Sequence, residues 1–461
     1  MFLEQFHVSG LAHSSYLIGS NGVCAIIDPR RDVDIYSKEA RKLGVSITHI
    51  IETHLHADFI SGHLDLARLT GASIYAPKAA GVLYEHIPLQ EGDTTYVGNL
   101  RFDIIETPGH TPEHISVIVS DIARGDMPWL VFTGDTLFVG DVGRPDLFGP
   151  DRTGELATKL HHSLQHKLAQ LPDYVEVYPA HGAGSLCGRS MSNKRHSTLG
   201  YEKHFNHAFQ FTSETEFIDA LLRDMPPTPK YFHHVSEINR KGPRVLKELP
   251  EKVAVSPAQA QRLIKEGYTL LDVRTPEAFG GAHAVGAFNI WFSTMISTWA
   301  GWVLSYDQPI LLLLENEEQW EEVVRQLLRV GLDKIAGYVD GGMETWVEAG
   351  LPISHIPQLS VHELGNMLTE KQDVLVLDVR TDSEYREGHI TGAINIHAGQ
   401  IKEHLHELER TKPIALVCRT AHRSSIAGSI LQQHGVQHLY NVSGGMSAWV
   451  NAGYDVSMPG F

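Results

Sequence analysis

The chain has 461 residues, 42% hydrophobic and 20% charged, an ordinary globular composition with length for roughly two to four domains. A net charge of −17 argues against nucleic acid or an anionic membrane as partner, because clustered Lys and Arg are what bind such surfaces. Three cysteines cannot form a disulfide framework, no signal-peptide pattern opens the chain, and the longest apolar run, 291–304, is too short and broken for a membrane span, so a cytoplasmic protein with reduced thiols is expected.

Short apolar runs predict strands over 16–18, 23–28, 47–52, 102–106, 114–119, 129–133 and 175–178, alternating with helical patterns. Candidate ligands stand where these strands run out: His54, His56 and Asp58, then His110, Asp135 and His181. Side chains at strand ends are rigidly held yet share one sheet edge, as a metal centre requires. Arg144 lies nine residues past Asp135. Cys24, within a strand, reads as structural, whereas Cys187 falls in a glycine-rich loop six residues past His181 and is a candidate sulfur acceptor. The pair His161-His162 and the residues His204 and His207 read as solvated helix faces, and the Pro-, Gly- and charge-rich segments 226–229 and 239–250 read as a linker.

The second half of the chain is duplicated. Leu271-Asp272-Val273-Arg274-Thr275, with His283 and Asn289, recurs at a constant offset of 106 residues as Leu377-Asp378-Val379-Arg380-Thr381, with His389 and Asn395. Gly341-Gly342-Met343 with Trp346 recurs as Gly444-Gly445-Met446 with Trp449. Each copy alternates short apolar runs with helical patterns such as 424–433, the signature of an α/β unit with a parallel sheet. In the last copy Cys418-Arg419-Thr420-Ala421-His422-Arg423 lies between a strand-like run and a helix, where backbone N–H groups and the helix N-terminus favour a thiolate or bound anion. Should Ala421 need a positive φ, it would be strained by about 1 kcal/mol. In the first copy Leu314 stands in place of the cysteine and Glu315 in place of Arg419, so that copy is expected to be inactive, with Trp291, Trp299 and Trp302 either docking on a neighbour or serving as core.

The ordered set His-x-His-x-Asp, Pro-Gly-His-Thr, Gly-Asp and Pro-Ala-His resembles the metallo-β-lactamase fold, an αββα sandwich, over residues 1–245. The dinuclear zinc hydrolases of that fold carry a histidine where this chain has Phe59, which cannot coordinate a metal. A single-metal site resembles the persulfide dioxygenase family, and the resemblance implies one Fe(II) per chain on His54, His110 and Asp135, with His56, Asp58 and His181 as outer groups and Arg144 on a thiol carrier's carboxylate. The Cys-Arg-x-x-x-Arg loop, the Asp-Val-Arg segment, Gly388-His389-Ile390 and Gly-Gly-Met resemble the rhodanese sulfurtransferases, implying an inactive rhodanese-like domain over 250–355 and an active one over 356–461, both α/β with parallel sheets. There the resemblance makes Cys418 the sulfur carrier and Arg419 and Arg423 its anion-binding partners. The expected activity is iron-dependent oxidation of a low-molecular-weight thiol persulfide, such as glutathione persulfide, by O2 to sulfite and thiol, coupled to sulfane-sulfur transfer that makes or uses thiosulfate. The alternatives are a thioester hydrolase resembling glyoxalase II, with an attached sulfur carrier, and a non-catalytic sulfur-carrier module. Self-association is left open.

Overall fold

The computed structural model describes residues 1–223 and 225–458. They form two compact units, the first being residues 1–248 with 328–331 and the second the remainder.

The first unit is built on two six-stranded sheets. In one, Phe2–Val8, His13–Ser20 and Val23–Ile27 pair antiparallel, and Ser46–Ile51, Ser73–Pro77 and Ile87–Leu89 continue parallel. The other runs from Ser197–Thr198 through Glu176–Pro179, Pro128–Gly134, Ile115–Asp121 and Leu100–Glu106 to Thr94–Val97. The period of two in the strand sequences decides which side chains meet. Tyr16, Ile18, Ala25 and Ile27 face Phe102, Ile104, Val117, Val119 and Phe132 between the sheets. Their neighbours Leu17, Cys24 and Ile26 turn outward onto the helices Asp34–Leu43 and His63–Thr70, whose buried residues include Tyr36, Ala40 and Leu66. Val131 and Val177 of the second sheet pack on Leu160 and Leu164 of the helix Pro150–His166. Helix, sheet, sheet and helix make the αββα sandwich. Cys24, its thiol pushed up to about 12 by burial, is a core residue.

The second unit contains two five-stranded parallel sheets with one topology used twice. Ala254–Val255, Ile335–Val339, Ile310–Leu313, Thr269–Asp272 and Phe288–Asn289 are matched by Gln358–Leu359, Leu439–Val442, Ile414–Val417, Leu375–Asp378 and Ile394–Asn395. The repeated residues are structural. Arg380 Nε meets both Asp378 oxygens at 3.0 Å and its Nη2 meets one at 2.6 Å, while Arg274 and Asp272 give 3.0, 3.1 and 2.6 Å. Asn395 and Asn289 each donate to two backbone carbonyls flanking these clamps, and His389 and His283 stack on Tyr385 and Phe279 at 3.7 and 3.8 Å.

Between the two segments read as a linker, and overlapping the second at 239–241, the chain is helical. Residues Tyr231–Lys241 form a helix that buries Tyr231, Phe232, Val235 and Asn239. The prolines at 226, 227 and 229 precede this helix, and its last turn, 239–241, is where the linker reading fails. His161 also departs from expectation: it is buried against Phe217, at 5.0 Å, whereas His162 and His204 are exposed. Among the described residues no helix is long and apolar enough to cross a membrane.

Candidate metal centre and cysteine loop

The strand Ser46–Ile51 delivers the chain to a loop carrying His54, His56 and Asp58, while His110, Asp135 and His181 follow strands of the other sheet, so two sheets rather than one edge supply the site. All six are buried. His54, His110 and Asp135 offer ligand atoms within 4.8 Å of one another. Their proton arrangement can be worked out from the partners. Asp28 can only accept, so the Thr53 hydroxyl donates to its Oδ2 at 2.9 Å and must accept from His54 Nδ1, also at 2.9 Å. His110 Nδ1 donates to the Arg144 carbonyl at 2.8 Å. Each imidazole therefore turns an Nε2 lone pair inward, 3.8 Å (His54) and 3.3 Å (His110) from Asp135 Oδ2. Burial, and for His54 the neighbouring histidines, lowers the affinity of both rings for a proton. Two neutral imidazoles and a carboxylate oxygen, all acceptors and all out of water, fit a cation.

His181 does different work. Its Nδ1 lies 2.7 Å from Asp135 Oδ1 and its Nε2 lies 2.9 Å from Asp58 Oδ2, so the ring bridges two carboxylates. Burial opposes a charge on it, but Asp135 and then Asp58 outweigh burial and raise its pKa well above the usual value. The reciprocal effect holds Asp135 low despite its own burial. His56 lies 3.2 Å from Asp28 Oδ1, and that carboxylate likewise overcomes burial to raise its pKa. Phe59 is fully buried, its ring 4.0 Å from the His13 ring and 4.4 Å from the His56 ring.

Two supporting residues escaped the sequence reading. His114 Nε2 accepts the Asp135 backbone N–H at 2.9 Å and its ring stacks on His54 at 4.8 Å. Burial lowers its pKa to about 3, which keeps that nitrogen an acceptor. A Cβ on Gly134, at φ +50°, would lie 2.4 Å from His114 Nε2, so only glycine admits this arrangement before Asp135. Asn239 brackets the ligand loop: its amide donates to the His56 and Phe59 carbonyls, both at 2.8 Å, and accepts the Ser61 N–H at 2.9 Å. For His114 the available signal was its position four residues past His110; for Asn239 there was none.

Arg144, expected on a thiol carrier's carboxylate, has protein partners on every side of its guanidinium that the structure records. Its guanidinium is buried, held by Asp146 at 2.6 and 2.8 Å, the Leu186 and Pro226 carbonyls and the Thr228 hydroxyl. A fork so fully engaged positions the loop whose carbonyl holds His110. Cys187 does approach the pocket, its sulfur within 4.8 Å of ligand atoms on Asp58 and His181. Burial first, then the Asp58 and Asp135 charges, push its thiol well above the usual range, against the thiolate that a sulfur acceptor needs.

In the second unit Cys418 is buried at the end of Ile414–Val417, ahead of the helix His422–Gln433, and accepts a hydrogen bond from Ser424 Oγ at 3.4 Å. The Gly-Gly-Met motif closes this loop from outside, as Met446 and Ser447 N–H groups donate to the Cys418 and Arg419 carbonyls at 2.8 and 3.1 Å. A Cβ on Gly445 would lie 2.1 Å from the Cys418 oxygen. Ala421 has φ +80°, the strained left-handed conformation foreseen for it. Arg419 is exposed. Arg423 is engaged instead with Glu384, at 2.6 and 2.7 Å, so it offers no free fork to an anion. The first repeat reaches into this site: Trp291 stacks on His422 at 4.3 Å, and Asn289 Oδ1 accepts from Ser425 Oγ at 2.6 Å. Trp299 and Trp302 lie 5.9 and 5.3 Å from the His397 ring.

The family model described as Metallo-beta-lactamase superfamily matches residues 8–181, and that described as Rhodanese-like domain matches 256–349 and 360–452. A metallo-beta-lactamase from Staphylococcus aureus subsp. aureus COL is 37% identical, with a TM-score of 0.66, over 74% of this chain and 98% of its own. The chain belongs to the metallo-β-lactamase superfamily. As a superfamily member it joins that domain to two rhodanese-like domains. ETHE1 from Myxococcus xanthus is 30% identical, covering 52% of this chain and 98% of its own, with a TM-score of 0.45. A hydroxyacylglutathione hydrolase of Pseudomonas entomophila (strain L48) is 36% identical over 162 residues, 35% of this chain; the match spans 58% of that relative's length.

Proposed function

We propose that the first unit oxidises a low-molecular-weight thiol persulfide with dioxygen at one ferrous ion held by His54, His110 and Asp135, and that Cys418 moves sulfane sulfur. The observation that carries this reading is the position beside Asp58. It holds Phe59, which offers no ligand atom, and His181 lies between Asp135 and Asp58; of the three buried triads whose ligand atoms converge, His54/His110/Asp135, Asp58/His181/Cys187 and Asp28/Glu52/His56, this reading gives the cation to the first. Ferrous iron there would supply the redox chemistry that dioxygen requires. The residues around it orient the ligands: Thr53 and the Arg144 carbonyl fix the imidazole rings, and His181 fixes the carboxylate. In the overall change persulfide, dioxygen and water give thiol, sulfite and two protons, with the outer sulfur oxidised and dioxygen reduced.

A second reading, hydrolysis of an acylglutathione thioester by a metal-bound hydroxide, is favoured by the 36% identity to the Pseudomonas hydrolase. Phe59 weighs against it. The two separate by oxygen uptake with glutathione persulfide, expected for the full chain and lost in His110→Ala. Acylglutathione hydrolysis without oxygen uptake, or two zinc ions per chain after growth in iron-replete medium, would overturn the oxidative reading.

A further inference from the structure

The residues that change with the cysteine between the repeats include Arg419, which becomes Glu315, and a pair that the structure shows bonded to each other. Glu384 corresponds to Ala278 of the first repeat, and with Pro309 set against Pro413, Cys418 and Arg423 correspond to Leu314 and Gln319. The first repeat nevertheless keeps the Asp–Arg clamp, the stacked histidine and the clamp asparagine. Were the Glu384–Arg423 pair part of the scaffold, it would have been kept with them. Its loss alongside the cysteine ties it to the chemistry of Cys418.

The pair is rigid. Arg423 Nη1 and Nη2 each meet one Glu384 oxygen, at 2.6 and 2.7 Å, and Glu384 Oε2 also accepts the Thr381 N–H and hydroxyl at 3.1 and 3.0 Å. Such a bidentate, charge-assisted contact holds the fork in one orientation and cancels its charge. We propose that Glu384 sets the donor preference of Cys418: by fixing and neutralising Arg423 it suits the loop to the singly charged sulfane end of an alkyl persulfide and disfavours a dianionic donor such as thiosulfate. The proposal rests on the sulfur-transfer reading above. With either donor the Cys418 thiolate attacks the outer sulfur, a new S–S bond forms, the old one breaks, and thiolate or sulfite leaves with the electron pair. No outside oxidant or reductant is needed. Glu384 acts through Arg423 and is a positioning residue.

The test is single-turnover sulfur loading of Cys418 in the full chain without oxygen, read by peptide mass, with thiosulfate and with glutathione persulfide in turn. In Glu384→Gln the half-saturating thiosulfate concentration should fall about three- to tenfold relative to the persulfide, because an uncompensated positive charge then faces a dianion. High salt should erase the gain, and adding Arg423→Gln should remove it. An unchanged donor ratio in Glu384→Gln, or a gain that survives in the double variant, overturns the proposal. Should Glu384→Gln not fold, Arg419→Gln, which removes the other loop cation, decides: weak salt dependence for thiosulfate in that variant supports a neutralised Arg423, and a steep one refutes it. Failure of wild-type Cys418 to take sulfur from either donor would instead refute the sulfur-transfer reading itself.

Discussion

Asn239 sits on a helix 180 residues past Phe59, and replacing it tests whether that helix holds the metal loop. In Asn239→Ala two donors at 2.8 Å and one acceptor at 2.9 Å disappear from a buried setting. Each net bond contributes about 1 kcal/mol, and the orphaned Ser61 N–H adds a desolvation penalty of about 1–3 kcal/mol. Because alanine lets the loop relax, the expected loss is about 3 kcal/mol, which lowers the first unit's thermal midpoint by about 6–12 °C. The loop between His56 and Ser61 loosens most, so metal retained after dialysis should fall as well. Calorimetry and metal analysis of wild type, Asn239→Ala and Asn239→Asp check this, the last keeping the acceptor while losing both donors. A variant that melts within 2 °C of wild type, by the same scaling, and keeps its metal would refute the bracket.

Relieving the left-handed strain at Ala421 with Ala421→Gly should stabilise the second unit by about 0.5–1 kcal/mol, seen as a higher urea midpoint; a lower one contradicts the strain argument. Trp291→Ala removes the stack on His422 and should slow sulfur loading of Cys418 by about fivefold, the equivalent of about 1 kcal/mol, while oxygen uptake stays at the wild-type rate. For Glu384, burial opposes ionisation, yet the Arg423 hydrogen bonds and charge bring its pKa from 4.5 down to about 2. A carboxylate depressed in the folded state stabilises it above the unfolded pKa. The second unit should therefore lose stability as pH falls from about 4.5 towards 2, and Glu384→Gln should flatten that part of the acid-unfolding curve.

The strands ending at His54, His110 and Asp135 were legible because each apolar run stops at a motif with a polar ligand. The duplication was legible because clamp, histidine and asparagine recur at one spacing. What stayed hidden depends on contacts between segments distant in sequence, or on the fate of a donor. Arg144 stands beside a ligand motif, but only the fold shows Asp146, Pro226 and Thr228 closing on it. Glu384 looks like a helix-capping residue, which it also is, so its bond to Arg423 left no separate trace. The opening strand Phe2–Val8 was missed because its residues are mostly half-buried and show no clean alternation.

The first turn of the cysteine-bearing helix leans on Asn289 and Trp291, both outside its own repeat. Excised alone, the last hundred residues would expose that turn to solvent and leave the Ser425 hydroxyl without its protein acceptor. The copy without the cysteine thus buttresses the turn that follows the cysteine of the other.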